Sequence, residues 1–408
     1  MPITDIYNYD FAQLASCQNP EEAFKQEFFT KHLTIGELKT IHDYLQNQQV
    51  EIDGKTIKAA TYLKGVVSGE LPPFLILTQL HGNEPAGLAG VALAIALSKA
   101  GMLRHDVICA IGNPLAAKQY FKEWEKSPSS EQETRDAFRC GLDDNGKLLA
   151  DGNRIPVDFL ERDSDYPHTE RARELYHIAR NIRGIIDIHS ARGNMVCITD
   201  HKNDNDLKYS PIRAVLTDLA EAISANASKQ VTVKTLKTIL SPLENIKCQT
   251  GIEAGRHEDK NSPNIAAAFT LATLYNQGIT SVTPLNPQED GKFVRYSVQP
   301  RITYGDLEYE KTPPSNDLIY MAKEIGGAVE EHQYDEMEAV KKGQIVAVAK
   351  PSGIVFRAKS DFSGIFFSKA KKLYDIDPNV DPWPIAAEDM NKIKFCYPCL
   401  VSDMEISF

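Results

Sequence analysis

No apolar run in this 408-residue chain is long enough to form a membrane helix. The longest runs, such as Val91-Ala92-Leu93-Ala94-Ile95-Ala96-Leu97, fall far short of the ~20 residues a span requires, so no membrane partner is expected. The first residues, Met1-Pro2-Ile3-Thr4-Asp5, lack a basic region followed by an apolar one, so no signal peptide is expected. Positive charge is in deficit as well. Against 56 acidic residues there are 45 Lys and Arg, a net charge of −11, which argues against a nucleic-acid partner. A small anionic substrate stays compatible, because a few buried arginines can dominate a local field. A disulfide framework is also missing. The seven cysteines, Cys17, Cys109, Cys140, Cys197, Cys248, Cys396 and Cys399, are odd in number and scattered, which fits a reducing, cytoplasmic compartment. Cys396 and Cys399 have the spacing of a zinc or redox pair. With no second pair, and no strand–helix start around them, they read as two thiols in a C-terminal strand region.

At this length a single small core is excluded, and more than one domain is expected. Residues 1–50 are read as an N-terminal helical extension. Pro20-Glu21-Glu22 suits a helix start, and Ile35, Leu38, Ile41 and Leu45 recur at helical spacing. Residues 51–285 alternate strands and helices. Short strands are expected around 56–64, a buried strand at 74–78, a helix at 85–99, a strand at 106–111 and a helix at 115–125. Residues 126–150 break the rhythm and read as an insertion or loop near the site. Beyond it come a helix at 167–181, strands at 184–188 and near 195–198, a helix at 211–225, a strand at 230–236 and a helix at 262–276. This alternation predicts an α/β fold, a mainly parallel central sheet with helices on both faces. Residues 286–408 form a C-terminal β-rich domain of short strands and turns. Val340-Lys341-Lys342-Gly343-Gln344 is similar to the turn feeding a core strand in biotinyl/lipoyl-type β-sandwiches. No lysine lies in a carrier-type hairpin, so the domain reads as structural. Tyr296 and Tyr304, near the domain junction, are read as core residues first and as candidates to reach the pocket second.

The chemistry concentrates in four short motifs. His81-Gly82-Asn83-Glu84 stands between the apolar run Phe74-Leu75-Ile76-Leu77 and a helix opened by Pro85. An imidazole and a carboxylate three residues apart can share one zinc ion if a third ligand arrives from elsewhere. His189 is that candidate, since it ends the strand-like run Ile185-Ile186-Asp187-Ile188. Two histidines, a glutamate and an open fourth position make a hydrolytic zinc site. Asp187 lies on the same side of an extended strand as His189 and can orient its imidazole. In Asp151-Gly152-Asn153-Arg154 an amide and a guanidinium form a fork for a substrate carboxylate, in a stretch that is also turn-prone. In Gly251-Ile252-Glu253-Ala254-Gly255 a lone glutamate in an apolar strand can act as general base and then general acid. Arg256 and His257 follow it and are candidates for substrate contact.

Taken in order, H-G-N-E, D-x-N-R, D-x-H-S and E-A-G resemble the succinylglutamate desuccinylase/aspartoacylase family, a branch of the zinc carboxypeptidase-like fold. The motifs span residues 81–255. The resemblance implies one zinc per chain at His81, Glu84 and His189, and carboxylate recognition around Asn153 and Arg154. It also implies proton transfer by Glu253 and hydrolysis of an amide joining an acyl group to an amino acid. The chain departs from the pattern in three places. Pro156 stands where an aromatic residue is usual, the N-terminal helices are additional, and the oxyanion-stabilising arginine is either Arg135 or Arg139. The expected partner is a small carboxylate-bearing molecule. A zinc carboxypeptidase would use the same residues, whereas a catalytically silent binding protein would not need them all. The motifs leave open whether the chain acts alone or as a homo-oligomer.

Overall fold

The structure is a computed structural model. It describes residues 18–29, 32–126, 141, 167–191, 196–200, 231–233, 248–257, 260–283, 296–298, 302–332, 334, 338–366, 385–391 and 394–401. The chain divides into two compact units, one running to Phe293 and the other from Val294 to Glu405.

The first unit opens with helices α1 (Pro20–Phe29) and α2 (Ile35–Gln46). α2 starts where it does because of a capping box. The Thr34 hydroxyl accepts from the Glu37 N–H, and the Thr34 N–H donates to the Glu37 carboxylate at 2.8 Å. Leu38, Ile41 and Leu45 form its buried stripe, as the spacing predicts, and His42 joins them. A hairpin of β1 (Gln49–Ile52) and β2 (Lys55–Lys58) follows. Then come β3 (Ala60–Leu63), β4 (Phe74–Thr78), a short turn of 3-10 helix (Pro85–Gly87), α3 (Leu88–Lys99), β5 (Val107–Ile111) and α4 (Pro114–Lys126). The remaining elements are α5 (Pro167–Arg180), β6 (Gly184–Ala191), β7 (Val196–Asp200), β8 (Val231–Val233), β9 (Cys248–Arg256) and α6 (Ser262–Asn276). The helix expected at 211–225, and the insertion expected at 126–150 apart from Lys126 and Gly141, lie outside the described residues.

Among the described residues seven strands form one sheet in the order β3-β5-β4-β6-β9-β7-β8. β5, β4, β6 and β9 run parallel, while β3 and β7 join antiparallel to β5 and β9. β4 and β5 are buried along their whole length, which is why both read as continuous apolar runs. One face carries Ile76, Cys109, Ile186, Ile188 and Ile252 under α1, α2, α3 and α6. The other carries Leu75, Leu77, Ile108 and Ile185 under α5 and the β1–β2 hairpin. α3 is apolar all round because it lies between the sheet and α6. A Cβ on its Gly90 would stand 2.3 Å from the Thr270 hydroxyl of α6, so only glycine allows this approach.

Asp106, just before β5, ties down the loop at 64–69. Its carboxylate accepts from Gly65 N–H (2.7 Å), Tyr62 O–H (2.7 Å), Ser68 O–H (2.9 Å) and Gly69 N–H (3.1 Å). Burial pushes its pKa up, but these four donors together hold it below the ordinary value. Asp106→Ala leaves the donors without their acceptor, and a loss of about 3 kcal/mol in urea unfolding is expected. A depressed carboxyl pKa stabilises above its unfolded value and ceases to do so as pH falls through the folded one. The stability gap between parent and Asp106→Asn therefore closes in acid, below about pH 4. A gap independent of pH would exclude the charge as its source.

The second unit is built from antiparallel strands. One sheet orders β13 (Ala328–Glu331), β12 (Leu318–Ile325), β14 (Ile345–Lys350) and β15 (Val355–Arg357), with β17 (Ile385–Ala386) also on β12. In the other, β18 (Lys394–Val401) pairs with β10 (Tyr296–Val298), β11 (Ile302–Thr303) and β16 (Gly364–Phe366). Tyr304 is fully buried in this unit's core and packs edge-on to Phe395, with ring centroids 5.2 Å apart. Cys396 and Cys399 both lie in β18, and Cys396 is a buried free thiol. No helix among the described residues is long and apolar enough to cross a membrane.

Candidate metal centre

β4 and β6 are parallel neighbours, so the segments that follow or complete them emerge at the same edge of the sheet. That carboxyl edge is where open α/β sheets bind their ligands. After Thr78 the chain turns sharply at Gln79, whose φ is 51°. Two bonds clasp this turn to the end of β5: Gly112 N–H to Thr78 O (2.7 Å) and Asn113 N–H to Gln79 O (2.9 Å). Gly82 then lies flat against the start of α4, where a Cβ would meet the Ala116 carbonyl carbon at 2.3 Å. The Glu84 N–H closes the loop onto His81 O at 3.2 Å, and Pro85 begins the 3-10 turn.

His81, Glu84 and His189 converge, with ligand-type atoms all within 4.8 Å of one another. Glu84 Oε1 lies 2.8 Å from His81 Nδ1, and its Oε2 lies 2.8 Å from His189 Nδ1. The rings are 5.3 Å apart, and each of the three residues is at most 5 % exposed. The other ring nitrogen of His189, Nε2, makes an ion-pair contact with Asp187 Oδ2 at 2.9 Å. Asp187 stands two residues back on β6, where the period of a strand puts it on the same face.

Burial alone would raise the Glu84 pKa, but His81 and His189 hold it well below the ordinary carboxylate range. Burial likewise opposes a charge on His189, yet the Asp187 and Glu84 carboxylates hold its pKa well above the ordinary imidazole value. The two carboxylates therefore favour positive charge beside them, whether a proton on His189 or a cation. A divalent cation suits that field. Two imidazole nitrogens and one carboxylate oxygen, buried and mutually close, could hold a metal ion, and Asp187 contacts the other nitrogen of the His189 ring.

Glu253 is half-buried on β9 and is the register partner of His189 on the neighbouring parallel strand. Register partners share a face, and strands lie about 4.8 Å apart, so this carboxyl belongs to the same edge. The structure also shows a contact that the sequence reading lacks. Ser190 O–H and His257 Nδ1 are 2.8 Å apart, and the Ser190 N–H points to Glu84 Oε2 at 3.4 Å. Its only sequence signal is the serine directly after the strand-end histidine. Arg256 belongs to β9 and pairs with Ala191 through the backbone, but its side chain is outside the described structure. Asn153, Arg154, Arg135 and Arg139 also lie outside the described residues.

Neither a protein-family model nor a curated protein matches the chain. Solved structures do. The succinylglutamate desuccinylase of Vibrio cholerae aligns at 13 % identity and a TM-score of 0.49, over 90 % of this chain and 96 % of that one. The corresponding protein of Chromobacterium violaceum aligns at 13 % identity and a TM-score of 0.47, over 90 % and 98 %. A succinylglutamate desuccinylase/aspartoacylase from Rhodobacter sphaeroides aligns at 15 % identity and a TM-score of 0.46, over 85 % and 89 %. Many of the solved structures that this chain resembles are thus proteins of the succinylglutamate desuccinylase/aspartoacylase family, at low identity and low TM-score.

Proposed function

We propose that this chain is a zinc-dependent amidohydrolase that cleaves the amide bond of a small N-acyl amino acid or similar carboxylate-bearing substrate. The observation that carries the reading is the buried convergence of His81, Glu84 and His189 at the carboxyl edge of the sheet, with Glu253 next in register. His81, Glu84 and His189 would hold the ion, one per chain, and Asp187 would orient His189. Bound there, zinc would supply Lewis acidity toward water and toward the amide carbonyl at neutral pH. Glu253 takes a proton from the attacking water and returns it to the departing amine nitrogen. Asn153 and Arg154 would grip a carboxylate of the substrate, and Arg135 or Arg139 would stabilise the developing oxyanion. The scattered, odd-numbered cysteines support a cytoplasmic setting.

The test is a turnover screen of the zinc-loaded chain against N-acetyl, N-succinyl and other N-acyl amino acids, with dipeptides alongside. Hydrolysis of N-acyl amino acids is expected. Turnover confined to peptide C-termini would replace this reading with a carboxypeptidase, and a zinc-loaded chain that hydrolyses neither would end it.

Arg154 provides a sharper check on substrate class. A guanidinium that has lost its carboxylate partner typically costs about 2–5 kcal/mol. Converting the substrate carboxylate to a neutral amide should therefore lower kcat/KM steeply. Arg154→Lys, which lacks the planar fork, should do the same for the acid while leaving zinc content unchanged. Equal turnover of the acid and its neutral amide would remove Arg154 from carboxylate recognition.

A further inference from the structure

His42 occupies the buried stripe of α2 between apolar neighbours, at 1 % exposure. A buried imidazole needs a hydrogen-bond partner, and this one finds it on a different element. His42 Nδ1–H donates to Oε1 of Gln79 at 3.1 Å, and Gln79 Nε2–H donates to the carbonyl of Gly82 at 3.3 Å. The ring also packs against Phe121, with centroids 4.9 Å apart. Burial lowers the His42 pKa, which keeps the ring neutral.

Gln79 is an unusual residue for its backbone. Its φ of 51° lies in the left-handed region, which glycine adopts freely and a residue with a Cβ does not. It is also completely buried. A strained backbone persists where the surroundings over-determine it, and here both ends of the side-chain amide are bonded. The bond it makes to Gly82 falls between the two ligand positions His81 and Glu84. Gly82 thus packs against the α4 backbone while its carbonyl accepts from the Gln79 amide.

We propose that His42 and Gln79 are positioning residues of the metal centre. Through this relay α2 fixes the Gly82 carbonyl, and with it the direction in which His81 and Glu84 present their ligand atoms to a divalent cation. The inference rests on the reading of His81, Glu84 and His189 as a metal site, and it makes α2 part of the support of that site.

Zinc dissociation constants of the full chain, measured by competition with a chromophoric chelator, test it in three variants. His42→Phe keeps a ring against Phe121 but removes the donor. His42→Asn can place an amide N–H where Nδ1–H stood. Gln79→Gly deletes the relay and relaxes the left-handed backbone. His42→Phe and Gln79→Gly should weaken zinc binding by about 10-fold or more, the scale seen when groups behind metal ligands are removed. His42→Asn should recover most of that loss, which a purely structural role for the ring would not predict. If His42→Phe does not fold, Gln79→Gly decides, because its backbone is relieved rather than strained. Parent-like zinc affinity in a folded His42→Phe or Gln79→Gly variant overturns the inference and leaves the metal site standing. A parent chain that binds no zinc overturns both.

Discussion

Replacing Glu253 by glutamine is expected to lower kcat by about 10²–10⁴-fold, the usual value of a positioned general acid–base. The substitution keeps the shape of the side chain and removes its ability to carry a proton. Glu253 is not among the three converging ligand residues, so zinc content should remain that of the parent. Its place beside His189 in the sheet register gives the prediction its geometric basis. Stopped assays at saturating substrate, with metal analysis of the same samples, measure both quantities. Parent-like turnover by this variant would deprive Glu253 of any catalytic role and move the proton transfer elsewhere.

The other large effect concerns the ligands, and the choice of residue matters. Removing His189 would take the ring from the buried Asp187 and leave the buried Glu84 with His81 alone. Loss of one partner from a buried charged pair costs about 3–5 kcal/mol, so activity could vanish through unfolding alone. His81→Ala is the cleaner variant, since it leaves the contacts among Glu84, His189 and Asp187 in place. It should fold, lose stoichiometric zinc and lose more activity than the about 10²–10³-fold that follows removal of a single oxyanion donor. Chelation of the parent should produce the same loss, reversed by added zinc. A folded His81→Ala protein that keeps both stoichiometric zinc and full turnover would refute the ligand assignment.

Much of the first unit was legible in the sequence, and for one reason. Apolar residues recur with the period of the element that buries them, so the strands 74–78 and 107–111 and the helix 262–276 announce themselves locally. The expected strand at 184–188 is longer, reaching Ala191, because polar His189 and Ser190 continue the hydrogen bonding after the apolar pattern stops. The helix expected from Pro85 begins instead as a 3-10 turn, with regular helix only from Leu88. Proline suits the first position of either, so the sequence cannot separate them. His42 was invisible as a functional residue. A histidine on an apolar helical stripe reads as a satisfied core residue, and its partner, 37 positions away, adopts a left-handed backbone without being a glycine.

By itself the sequence determined the alternating α/β pattern, the places of His81 shortly after β4 and of His189 near the end of β6, and the isolation of Glu253 in an apolar strand. These are local properties, set by which residues a strand or helix can bury and where its period ends. Only the tertiary structure decided which strand ends are neighbours. Glu84 and His189 are 105 positions apart and meet because β6 pairs with β4 rather than with another strand. Ser190 and His257, 67 positions apart, meet because β9 lies on the other side of β6. Strand order follows from how the helices and crossovers cover both faces of the sheet together. That is a balance over the whole chain, and no single segment carries it.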